Sequence, residues 1–144
     1  MPRVTILFLP ALILSGCTGI PSGWSDAKRT GSSDPVCGAW LGEWRSERNG
    51  HHGGLRCVVE RQDTVTCRFR YRASWAKILC AGFTLTSTVK PDGKGGYAVT
   101  GSKDLGKAFG GVFACTGTIK DGVFKSRYEA KLDRGAMELR KLKD

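Results

Sequence analysis

A chain of 144 residues with 23 Lys and Arg against 13 Asp and Glu carries a formal net charge of +10 and has room for one domain. With 40% hydrophobic and 25% charged residues it has the composition of an ordinary globular protein. Twenty glycines, and a single short stretch compatible with a helical turn (Ser74 to Leu79), weigh against a helical bundle and favour a fold with many turns.

The N-terminus has the layout of an export signal. Arg3 supplies a short positive region, and Val4 to Leu14 form an apolar run of 11 residues. That run is too short to span a bilayer, which takes roughly 20 residues. It leads directly into Leu14-Ser15-Gly16-Cys17, which resembles the lipobox of bacterial lipoproteins. The resemblance implies that residues 1–16 are a signal peptide and that Cys17 becomes a lipidated N-terminus. Two or three acyl chains would then hold the protein at a membrane. Thr18, rather than Asp, follows the cysteine. By the rule of well-studied double-membrane bacteria, that residue implies a lipid-anchored protein of the outer membrane, facing the periplasm. Loss of Arg3 leaves a net charge of +9, which favours an anionic envelope partner, and export argues against nucleic acid.

Residues 17–36 comprise the lipidation site and a Gly-, Ser- and Pro-rich stretch with no periodicity, expected to be a flexible tether. A domain over 37–144 follows. Its short β-like runs are expected near residues 39–46, 54–61, 64–72, 78–89, 95–103, 111–119, 123–130 and 135–141. Asn49-Gly50, Pro91-Asp92-Gly93, Lys120-Asp121-Gly122 and Asp133-Arg134-Gly135 carry the turn chemistry between runs. Links this short exclude a parallel sheet. One-sided alternation repeated over eight runs predicts an all-β, eight-stranded antiparallel up-and-down barrel.

The alternation assigns Trp40, Trp44, Leu55, Val59, Val65, Phe69, Tyr71, Phe113, Phe124, Tyr128, Met137 and Leu139 to the interior. A second hairpin symmetric about Gln62 would place Cys57 opposite Cys67, close enough for a disulfide, with Cys37, Cys80 and Cys115 as competitors. With Cys17 committed to lipid, five cysteines remain, so at least one thiol stays unpaired within the chain.

Gly38-Ala39-Trp40-Leu41-Gly42-Glu43-Trp44 contains Gly-x-Trp twice. It resembles the first strand of the calycin barrels, the lipocalins, fatty-acid-binding proteins and avidins. That resemblance implies a Trp plug at one barrel end beneath a basic residue of the last strand. Arg140 is the first candidate, with Lys141 and Arg134 as neighbours. The domain as a whole also resembles small bacterial lipoproteins, a likeness that brings no activity with it.

Candidate sites are few. His51 and His52 are adjacent on an extended chain and point apart, so no metal or cofactor is expected. Arg56, Arg68, Arg70 and Arg72 would form an outward ladder able to grip phosphate or carboxylate. Trp75, with Ala76, Lys77 and Ile78, would sit at a barrel mouth. Neither a nucleophile elbow nor HExxH is present, and no enzyme activity is expected. The residues favour a membrane-anchored binding module for a small apolar or amphipathic ligand. The alternative is an envelope protein-binding or inhibitor module with a filled barrel and a functional basic surface.

Overall fold

The computed structural model describes residues 20–75, 79–107 and 111–143. The expected signal segment and Cys17 lie outside this set, as do residues 76–78 and the side chains of Trp75 and Cys80. The described chain begins with a short helix, α1 (Trp24–Thr30), followed by eight strands. These are β1 (Gly38–Ser46), β2 (His52–Arg61), β3 (Thr66–Trp75), β4 (Leu79–Pro91), β5 (Tyr97–Asp104), β6 (Val112–Lys120), β7 (Val123–Glu129) and β8 (Arg134–Lys141). Each strand pairs antiparallel with the next, and β8 returns to β1, closing an up-and-down barrel. The β4–β5 ladder is the shortest, covering Ser87–Pro91 of β4 and Tyr97–Gly101 of β5.

Closure depends on how near β1 and β8 can come. Gly42 pairs with Leu139. A Cβ built on Gly42 would stand 1.8 Å from the carbonyl oxygen of Glu138, so no larger residue fits without parting the two strands. Between β6 and β7 the sequence supplies a tight two-residue turn. Asp121 and Gly122 adopt φ of 51° and 73°, the paired left-handed geometry that Asp-Gly favours.

The alternation within the strands builds the core. Trp40, Leu55, Val59, Phe69, Tyr71, Phe124 and Leu139 are almost fully buried, and Phe113, Tyr128 and Met137 nearly so; Trp44 packs against them from the upper rim. Burial of a side chain such as Phe69 or Phe124 contributes about 2 kcal/mol.

One end of the barrel is shut. Trp40 is fully buried there, and its indole N–H donates to the Val36 carbonyl at 2.9 Å. Val36 is itself buried, as part of a segment (residues 32–37) that crosses the barrel end. Lys141 holds this segment through its ammonium, which donates to the carbonyls of Ser32 and Asp34. Arg61 holds it through an ion pair with Asp34 at 2.8 Å.

Four expectations change. First, the β2–β3 hairpin turns two residues later than Gln62. The Asp63 carboxylate accepts the backbone N–H groups of Val65 and Thr66, and this Asx-type turn sets the register. Cys57 therefore faces Tyr71, and Cys67 faces Arg61. Cys57 and Cys67 are not cross-strand partners, and among the described residues Cys37, Cys57, Cys67 and Cys115 are free thiols. Second, the same shift puts Val65 in the loop, exposed rather than inside. Third, Arg140 points outward to Glu138 at 3.6 Å, and the basic residue paired with Trp40 is Lys141. Fourth, residues 20–36 are not free of the barrel. The Ser22 carbonyl accepts from Arg70 at 3.1 Å, and the Arg56 guanidinium lies over the Trp24 ring at 5.8 Å.

Two outcomes follow. Gly42→Ala should lower stability by about 3 kcal/mol, because it strains the closing strand pair, whereas Gly54→Ala, whose Cβ would meet only the Ser74 hydroxyl, should change it far less. Denaturant titration of both variants checks this. The second outcome concerns acid. The hydrogen bond from Arg61, aided by the N–H groups of Val36 and Cys37, lowers the Asp34 pKa to about 2. A pKa lower in the folded than in the unfolded state contributes stability that is complete above the ordinary carboxylate range and is lost as pH falls from about 4 to about 2. Denaturant melts over that interval should show a fall that Asp34→Asn flattens.

Candidate ligand-binding site

The end opposite the Trp40 plug is open. A cavity of about 350 Å³ lies there, within the range of small-molecule sites. Its walls are apolar: Trp44 from β1, Leu55 from β2, Ala73 from β3, Phe83 from β4, Phe113 from β6, Tyr128 from β7 and Met137 from β8. Asn49, His51 and Asp133 supply polar groups to the lining. Seven strands thus converge on one space, because inward positions recur at every second residue and the barrel directs them to a common axis.

Hydrogen bonds fix two of the wall rings. The indole of Trp44 donates to the Ser74 carbonyl at 3.1 Å. The Tyr128 hydroxyl donates to one oxygen of Asp133 at 3.0 Å, and Ser46 donates to the other. Burial, together with this bond, pushes the Tyr128 phenol well above its ordinary range, so it stays protonated and donating. Asp133 also receives its neighbour's backbone N–H, that of Arg134. These contacts tie the β7–β8 loop to the start of the β1–β2 loop and hold the mouth open in one shape.

The aromatic rings run continuously from mouth to plug. Tyr128 stacks on Phe113 at 5.7 Å, Phe113 meets Phe83 at 5.0 Å, and Phe83 stacks on Tyr71 at 4.9 Å. Tyr71 then stacks on Phe69 at 6.0 Å, Phe69 meets Phe124, and Phe124 takes the edge of Trp40. One inward step below the cavity walls come Cys57, Tyr71, Leu85, Cys115 and Ser126, all buried. The Tyr71 hydroxyl is close to the thiols of Cys57 and Cys115, and its burial drives its pKa far up. The hydroxyls of Tyr71, Ser87 and Ser126 are buried with no hydrogen-bond partner among the described residues. Unpartnered hydroxyls at this depth are costly, at about 1–3 kcal/mol each.

Several candidate residues from the sequence meet at this site and others do not. Trp44, Leu55, Phe113, Tyr128 and Met137 line the cavity, whereas Trp40, Val59, Phe69, Phe124 and Leu139 fill the space below it. Phe83, Ala73, Asn49 and Asp133 were not singled out. Phe83 was legible in the alternation Phe83, Leu85, Ser87, Val89 of β4; Asp133 was read as turn chemistry alone. The two histidines part as expected of adjacent residues on an extended chain: His51 lines the cavity, and His52 a groove outside the barrel. Among the described residues no cluster of three or more metal-ligating side chains occurs.

The arginine ladder is engaged within the chain. Arg70 makes two bonds of 2.8 Å to Glu60, Arg68 donates to Gln62 at 3.0 Å, and Arg56 covers Trp24. Arg72 lies against Gly82, where a Cβ would come within 2.7 Å of its guanidinium. No described helix is long and apolar enough to cross a membrane.

No family model matches the chain, and no curated protein sequence is significantly similar to it. Two solved structures share its architecture. One is a de novo designed fluorescence-activating β-barrel, with a TM-score of 0.53 and 13% identity, covering 81% of this chain and 97% of that one. The other is EF1p2_mFAP2b bound to DFHBI, with a TM-score of 0.54 and 10% identity, covering 80% of this chain and 98% of that one. At these identities the likeness establishes a shared fold: a closed eight-stranded β-barrel.

Proposed function

We propose that this protein is a lipid-anchored protein of the cell envelope whose barrel takes a small apolar or amphipathic ligand at its open end. The observation that carries the ligand-binding part is the apolar cavity itself, walled by Trp44, Phe83, Phe113 and Met137 and set above a filled, plugged core. An apolar, aromatic-walled cavity in which Ser74 and Asp133 fix two of the rings is the usual form of a small-molecule site. One of the two similar barrels is bound to DFHBI, which supports ligand binding by this architecture. The anchoring part rests on Leu14-Ser15-Gly16-Cys17 and the apolar run before it, with the membrane as partner through lipid on Cys17.

The alternative, a protein-binding or inhibitor module acting through a basic surface, has less support. Three of its four arginines, Arg70, Arg68 and Arg56, are engaged within the chain by Glu60, Gln62 and Trp24. What favours it is the exposure of Val112 at the start of β6 and Leu132 in the β7–β8 loop.

A fluorescent fatty acid titrated into the full-length chain in mild detergent should bind saturably and be displaced by an unlabelled amphiphile. Ala73→Phe, which fills the cavity from β3, should weaken that binding by about tenfold, or roughly 1.4 kcal/mol. No saturable binding, or affinity untouched by Ala73→Phe, would remove the cavity from consideration. Pull-down of an envelope protein that leaves the cavity empty would favour the alternative.

A further inference from the structure

The closed end brings together two cysteines that the strand registers alone do not pair. Cys37 stands just before β1 and is half-buried, and Cys67 is the second residue of β3 and fully buried. The crossing segment makes them neighbours. Asp34 accepts the backbone N–H of Cys37 at 3.3 Å and, through its other oxygen, binds Arg61 at 2.8 Å. Arg61 is the cross-strand partner of Cys67, and paired residues share a face. The two thiols therefore sit beside one ion pair, within electrostatic reach of each other. Cys57 and Cys115 are placed differently: they project from β2 and β6 at mid-barrel and flank the Tyr71 hydroxyl.

We propose that Cys37 and Cys67 form a disulfide that fastens the crossing segment, residues 32–37, to β3 across the closed end. The oxidant is a small disulfide of the kind that maintains oxidising compartments. The thiolate of Cys37, the more exposed of the two, attacks one sulfur of that oxidant, and the other sulfur leaves as a thiol. The thiolate of Cys67 then attacks the Cys37 sulfur, forming the Cys37–Cys67 bond and releasing the second small thiol. Two protons and two electrons pass to the oxidant, and nothing else changes. Burial holds both thiols above their ordinary range, Cys37 at about 11. The exchange is therefore fastest at alkaline pH or while the closed end is still packing. The bond does not depend on what the cavity binds.

The test uses the full-length chain, incubated with oxidised glutathione or with dithiothreitol, alkylated, digested and mapped by mass spectrometry. The expected product after oxidation is a peptide pair joining Cys37 to Cys67, two hydrogens lighter than the reduced peptides. Oxidation should raise Tm by about 10 °C relative to the reduced chain, given the long loop that the bond closes. Cys37→Ser, at the less buried partner, should remove that redox dependence of Tm while the variant still melts cooperatively. Alkylation of both cysteines after oxidation, a linkage of either to another cysteine, or a redox shift that persists in Cys37→Ser would each overturn the proposal.

Discussion

The contact between β1 and β8 is the constraint on which the rest of the molecule depends. Seven hairpin pairings follow from chain order and would form in an open meander as readily as in a closed one. The eighth joins residues almost a hundred positions apart and requires Gly42 to lie against the Glu138 carbonyl. Once that contact is made, inward residues on every strand face a common axis, and the greasy side of the sheet has nowhere to meet water except at the ends. The distinction between an inside and an outside, and therefore a cavity of any kind, begins there.

The two ends are then treated in opposite ways by the same chain. At one, the segment before β1 folds across the opening, with Val36 and Trp40 beneath it and Asp34, Arg61 and Lys141 locking it from above. At the other, the loops are tied to one another through Asp133, Ser46 and Tyr128 rather than across the axis. A polar clamp over the axis closes the first end, and a polar clamp around the rim frames the second.

Much of this was legible in the sequence, for reasons that can be named. Period-two burial and the Asn-Gly and Asp-Gly turns located all eight strands to within a few residues, and Gly-x-Trp pointed to the plug. The register of the β2–β3 hairpin was not legible from alternation alone, because moving the turn by two residues leaves every side chain on its original face. Only the bonds from Asp63 to Val65 and Thr66 settle it, and they moved Val65 out and separated Cys57 from Cys67. Arg140 and Lys141 could not be ranked without the β1–β8 register. Composition also concealed the arginine pairings: a run of Arg on alternate positions looks like an open cationic strip until Glu60, Gln62 and the Trp24 helix are brought against it.

Tyr71 stands between the cavity walls and the filled half of the barrel, stacked on Phe83 on one side and on Phe69 on the other. Together with Leu85, Cys57 and Cys115, buried at the same depth, its ring forms the floor that makes the opening a shallow cup. Depth is thus set by inward side chains and not by the strand ladder, which a change of side chain leaves intact. A smaller residue in place of that ring would deepen the cup, with the walls and the sealed base left as they are.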